Sequence, residues 1–170
     1  LSEAETRKLY IDLLLHEAGW TVTEQVGKIV PRQAGIEIEV QGMPNESGMG
    51  YADYVLFDAD VTPLAVVEAK RTSVDAVAGR HQAELYADCL AARYVCPRPV
   101  IYYTNGFETN IIDGIGYPSR KVMGFHTIDE LRRMIAQRGR ADITDLQISD
   151  RITNRNYQKR MIESVCKHYN

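Results

Sequence analysis

Tyr51-Ala52-Asp53-Tyr54-Val55-Leu56-Phe57-Asp58 and, across the turn Ala59-Asp60-Val61-Thr62-Pro63, Leu64-Ala65-Val66-Val67-Glu68-Ala69-Lys70-Arg71 form the stretch of this sequence that decides its fold. Both runs are short and rich in Val, Leu, Ala and aromatics, the pattern of strands buried on both faces and joined as a hairpin. Centring that hairpin between Asp60 and Val61 sets Asp53 opposite Glu68. Directly opposed residues have Cβ atoms about 4.5–5.5 Å apart, so two carboxylates share one small volume. Lys70, two residues past Glu68, projects from the same face. Carboxylates this close repel unless one takes up a proton or a cation sits between them. Carboxylate oxygens suit magnesium, and a neighbouring lysine can orient or deprotonate a water or neutralise charge developing on a phosphate. Asp with Glu-x-Lys therefore suits metal-assisted phosphodiester hydrolysis. A Glu-x-Lys pair at a strand end is commonly just solvated. Here both strands are apolar on both faces, and charge in such a setting is costly without a role.

Working outward, Ser2 and Glu5 read as a capping box opening a helix of about four turns over Leu9, Leu13, Leu14 and Ala18, ended by Gly19. Ile36-Glu37-Ile38-Glu39-Val40 alternates strictly, predicting a strand with Glu37 and Glu39 on its solvent side. Gln41 to Gly50 reads as a loop. After the hairpin, Asp75 to Arg93 places Ala78, Gln82, Leu85, Tyr86 and Cys89 on one helical face, predicting a helix lying on the sheet. Pro99 to Thr104 reads as a buried strand, with weaker strands over Glu108–Asp113 and Lys121–Phe125. Thr127 and Glu130 form a second capping box for a helix that stops before Gly139. The order predicts an α/β fold with a mixed central sheet flanked by helices. Residues 1–139 read as one domain; 140–170, with a linker over Gly139–Asp150 and a basic final helix over about Tyr157–His168, read as the start of a second.

Composition limits the alternatives. The 170 residues are 45% hydrophobic and 25% charged, as in a globular protein. A formal charge of -3 excludes a uniformly basic nucleic-acid coat but says nothing of local patches. Cys89, Cys96 and Cys166 are odd in number and lack Cys-x-x-Cys spacing, which points to a reducing, cytoplasmic setting. No signal peptide or membrane span is evident. There is no Gly-x-Ser-x-Gly elbow or phosphate-binding glycine loop, and His16, His81, His126 and His168 lack metal-ligand spacing. His81 reads as a helix-surface residue.

Gly50 to Leu56, Pro63 to Thr72 and Gln82-Ala83-Glu84-Leu85-Tyr86-Ala87-Asp88, with Ala4 to Arg7 and Ala18-Gly19-Trp20, resemble the amino-terminal nuclease domain of the restriction (R) subunit of type I restriction-modification enzymes, a branch of the PD-(D/E)XK nucleases. The resemblance covers most of Leu1 to Leu131. It implies a restriction-endonuclease-like fold, with Asp53 and Glu68 as metal ligands and Lys70 as catalytic lysine; Ala52 stands where the family often has proline. It also implies that Gln82 and Tyr86, one helical turn apart, support the active site or DNA, against a reading in which they only cap the core helix. Glu5 is open between helix capping and metal ligation. The cofactor implied is magnesium, with manganese as a substitute. The implied function is a type I site-specific deoxyribonuclease, a hydrolase cutting double-stranded DNA after ATP-driven translocation, in complex with modification (M) and specificity (S) subunits.

Arg155 to Ile162 resembles the beginning of the same subunit's helicase-type ATPase, which would put Gln158 near an adenine site in the full-length subunit. An amphipathic terminal helix is the alternative. With no phosphate loop, the chain itself is not expected to hydrolyse ATP. Two other classes stay open, a stand-alone PD-(D/E)XK repair nuclease and a non-catalytic docking domain with the same fold.

Overall fold

The computed structural model describes residues 10–138 and 155–168. The chain separates into two compact units, Leu1–Arg138 and Gly139–Asn170. In the first, α1 (Asp12–Glu17) leads to β1 (Thr21–Val22), β2 (Gln33–Gln41), β3 (Met49–Phe57) and β4 (Pro63–Ala69). A short 3-10 helix (Ala76–Gly79) runs into α2 (Arg80–Tyr94), followed by β5 (Val100–Thr104), β6 (Thr109–Ile112), β7 (Arg120–Val122) and α3 (Ile128–Gln137). The second unit contributes α4 (Asn156–His168). The Ser2–Glu5 capping box and the Gly139–Asp150 linker lie outside the described residues.

The seven strands form one mixed sheet in the order β1 to β7. β1–β2 and β4–β5 are parallel and the other neighbours antiparallel. β4, buried along its whole length, is the sheet's centre. Its parallel partner β5 requires a crossover, which α2 supplies. On one face Ile11, Leu15, Trp20 and Leu131 close over Tyr54, Val67 and Tyr102. On the other, Ala83, Tyr86, Ala87 and Leu90 of α2 pack on Val55, Val66 and Ile101.

This shifts the expected helix faces. α2 buries its alanine edge, which lets the helix approach the sheet closely, while Ala78 is exposed within the 3-10 turn and Gln82 sits half-buried at the rim. In α1 the buried residue is Leu15, with Ile11 buried just before the helix, and Leu13 is exposed. The strands expected over Glu108–Asp113 and Lys121–Phe125 contract to β6 and β7, and the loop expected to run to Gly50 ends before Met49. Thr127 and Glu130 do form the reciprocal capping box at the start of α3.

The alternation expected of β2 fails at one residue. Glu37 has φ +47°, and Ala34 and Ile36 pack with the α1–α3 core whereas Ile38 and Val40 pack with the α2 core. β3 changes face at the matching place, Ala52 packing with α2 although Tyr54 and Leu56 face α1. Pairing runs Ile36–Tyr54 and Ile38–Ala52, so Glu37 and Asp53 stand opposite each other at the switch. A left-handed backbone at a non-glycine residue costs roughly 1–2 kcal/mol. Here it lets Ile36 and Ile38 both bury, on opposite faces.

A long-range polar contact ties the ends of the first unit together. The Trp20 indole donates to the His126 carbonyl at 2.9 Å, and the Tyr102 hydroxyl lies 2.5 Å from His126 Nδ1. Burial pushes the Tyr102 phenol well above its ordinary range, so it meets the ring as the neutral phenol. Burial likewise lowers the pKa of His126 below its ordinary 6.5. The unfolded chain then binds a proton before the folded one does, so stability is complete above about pH 6.5 and declines as pH falls through the window below it. Thermal melts between pH 5 and 7 should show this slope, flattened in His126→Gln. An equal slope in the variant would exclude His126 as its source.

Candidate active site

The β3–β4 ladder pairs Tyr54 with Val67, Val55 with Val66 and Leu56 with Ala65, so Asp53 and Glu68 are the next opposed positions. The backbone ladder stops there. The N–H of Ala69, facing β3, donates instead to Asp53 Oδ2 at 2.7 Å, while the N–H of Lys70 turns to the Thr104 carbonyl of β5 at 2.8 Å. Asp53 is thus fastened to the backbone directly beside Glu68. On the other side, Glu68 pairs in register with Tyr103 of β5.

Glu68 is only 3% exposed, at the rim of the face covered by α2. Lys70 Nζ donates to Glu68 Oε1 at 2.8 Å and to Gln82 Oε1 at 3.3 Å. Gln82 Nε2 donates to the Tyr86 hydroxyl at 2.7 Å, which also accepts the N–H of Tyr51 at 3.3 Å. A continuous chain of hydrogen bonds therefore runs from β4 through α2 back to β3. Burial raises the Tyr86 pKa, and the charges of Glu68 and Asp53 raise it further against the hydrogen bond from Gln82. The phenol stays neutral, and both carboxylates act on it. Asp53, Glu68, Lys70, Gln82 and Tyr86 thus lie together in one cluster. Glu5 lies outside the described residues. Gln158 is half-buried on α4 in the second unit.

The sequence reading missed Gly50. A Cβ there would fall 2.6 Å from Tyr86 Cε1 and 3.1 Å from its hydroxyl oxygen, closer than van der Waals contact permits. Its only signal was its place one residue before Tyr51, whose N–H receives Tyr86. Gly50→Ala should push the ring off β3 and break that bond, destabilising the fold by about 1–3 kcal/mol as other overpacked cores do. Urea denaturation checks this; an unchanged midpoint would show that Tyr86 is free to move.

The donor set fits a hard cation. Asp53 and Glu68 offer carboxylate oxygens, with no imidazole or thiolate beside them to favour a softer metal. Among the described residues no group of three or more His, Cys, Asp and Glu side chains could hold a metal. One or two protein carboxylates, the remaining positions filled by water, is the usual provision for magnesium.

Comparison with known proteins finds relatives in one group of enzymes. The family described as the second domain of the type I restriction enzyme EcoKI endonuclease subunit matches residues 27–108. The EcoKI endonuclease subunit of Escherichia coli (strain K12) is 38% identical over 96 residues, covering 52% of this chain and 8% of that protein. A solved fragment of a putative HsdR subunit of a type I restriction enzyme from Vibrio vulnificus YJ016 superposes with a TM-score of 0.61 at 28% identity, over 86% of this chain and 27% of that one. The chain therefore spans a small part of each relative, and the matched segment contains every residue of the cluster around Glu68. In sequence and in fold this chain is thus similar to the endonuclease (R) subunits of type I restriction enzymes.

Proposed function

We propose that this chain is the magnesium-dependent nuclease module of a type I restriction subunit, with a PD-(D/E)XK-type site, cutting double-stranded DNA as part of a complex with modification and specificity subunits. The observation that carries the reading is the convergence of Asp53, Glu68 and Lys70 at one point of the β3–β4 pair, with Lys70 Nζ 2.8 Å from Glu68 Oε1 and Asp53 fixed by the N–H of Ala69. A docking-only role has no need of this set.

In this reading Asp53 and Glu68 hold magnesium or manganese, and the bound cation offsets charge that develops on the phosphate during hydrolysis. The bond from Ala69 fixes the Asp53 carboxylate, and burial restricts that of Glu68. Lys70 is a compact point charge held between Glu68 and Gln82, placed to orient the attacking water or meet negative charge on the phosphate. Tyr86 and Gln82 hold the lysine from the α2 side. Base recognition is assigned to another subunit, so contacts here run mainly to phosphates. ATP serves the remainder of the subunit, with Gln158 near its adenine in the full-length protein.

Calorimetric titration of magnesium or manganese into the chain tests the site. Wild type should bind, and Asp53→Ala should bind at least about tenfold more weakly, since even outer-shell changes cost that much. Equal affinity in the two proteins rejects Asp53 as a ligand.

A further inference from the structure

Gly79 ends the 3-10 helix Ala76–Gly79 and is buried against Glu68 and Lys70 rather than exposed at a turn. Its backbone, at φ -87° and ψ -12°, is right-handed helical, a conformation open to every residue. No backbone requirement therefore accounts for a glycine here. Space does. A Cβ at this position would lie 3.0 Å from Glu68 Cγ, 3.5 Å from Lys70 Cε and 3.6 Å from Lys70 Cγ. The missing side chain lets the main chain press directly on the two stems that carry the carboxylate and the ammonium. The turn that brings it there is set by Asp75, whose side chain accepts the N–H of Val77 at 2.9 Å.

From this packing we infer that Gly79 is a positioning residue of the nuclease site, its bare α-carbon fixing the side-chain conformations of Glu68 and Lys70 from outside the motif. The inference rests on the nuclease reading above. Glu68 is 3% exposed and already bound to Lys70, so it has little freedom to yield to an added methyl group without moving its carboxylate. The shift required is a few tenths of an ångström. A displacement of about 1 Å in such a site can cost about 100-fold, so a shift of this size corresponds to a severalfold loss. Because alanine suits the backbone at this position, the same substitution restricts the unfolded chain and favours folding.

Gly79→Ala separates the two effects. Measured on the chain itself, it should lower magnesium and manganese affinity by about 3- to 10-fold while leaving the metal-free melting temperature equal to that of wild type or slightly higher. In the full-length subunit assembled with its partners, cleavage kcat should fall by a similar factor, with KM for DNA and ATP hydrolysis unchanged. Wild-type metal affinity together with wild-type kcat overturns the inference while leaving the nuclease reading intact. A loss of affinity that tracks a lowered melting temperature also overturns it, since the effect is then general unfolding. If wild type itself binds neither metal, the nuclease reading fails first.

Discussion

Lys70→Ala, placed in the full-length subunit and assembled with the modification and specificity subunits that the proposed function assigns to it, should abolish the proposed DNA cleavage while leaving ATP hydrolysis at its wild-type rate. A positioned group that transfers a proton or offsets charge in the transition state contributes about 100- to 10,000-fold, and a loss near the middle of that range is expected. The ammonium donates to Glu68 Oε1 and to Gln82 Oε1, so its position is fixed from both β4 and α2. Lys70→Met keeps most of the stem and should be as inactive as alanine, assigning the loss to the charge rather than to packing. Lys70→Arg keeps the charge but spreads it over a planar fork that cannot occupy the same point between Glu68 and Gln82, so recovery should be small. Gel assays on plasmid DNA with a parallel ATPase assay decide the matter. Cleavage undiminished in the alanine variant would remove Lys70 from the chemistry.

The second large effect concerns stability. Trp20→Ala should lower the unfolding free energy by about 3–5 kcal/mol, the usual range for emptying a buried aromatic site. Against total stabilities of about 5–15 kcal/mol, this is a substantial share. For a domain of this size each kcal/mol moves the melting temperature by roughly 2–4 °C, so a fall of about 6–20 °C is expected. The ring is 2% exposed and packs in the α1–α3 core, and its N–H reaches the carbonyl of His126, 106 residues away. Trp20→Phe keeps most of the packing and leaves that carbonyl without its donor, a cost of about 1–3 kcal/mol. Chemical denaturation followed by circular dichroism distinguishes the two, and equal losses in both variants would place the whole effect in the hydrogen bond.

How much of this was legible beforehand depended on the range of the interaction. The apolar runs at Tyr54–Phe57 and Leu64–Val67 demanded a buried hairpin, and its centre set Asp53 against Glu68; these are local rules, and the ladder keeps that register over Tyr54–Leu56, with a one-residue shift at Phe57–Pro63 beside the turn. Thr127 and Glu130 are likewise three residues apart, and their capping box formed where expected. Glu37 escaped because strict alternation predicts a regular strand, and only the need to bury Ile36 and Ile38 in two different cores turns the backbone there. Gly50 and Gly79 escaped because a glycine's role as clearance depends on what approaches it, here Tyr86 and the Glu68–Lys70 pair. The tie between Trp20 and His126 depends on packing at the opposite end of the unit. The buried face of α2 was judged only in part, Tyr86 being buried and Leu85 and Cys89 packing against the core as expected, for a related reason. Alanines carry little weight in a periodicity argument, yet their small size is what brings the helix onto the sheet.

The strand order has a consequence for biosynthesis. Because sheet order follows chain order from β1 to β7, no strand has to insert between two that have already paired. Each can join the growing edge as it leaves the ribosome, so the chain avoids the slow search that distant pairings impose on folding. Asp53, Glu68, Lys70, Gln82 and Tyr86 all precede β5. The acidic pair and its lysine can therefore be assembled on a nascent chain before β6, β7 and α3 have been synthesised, and these later elements extend the sheet and cover its other face.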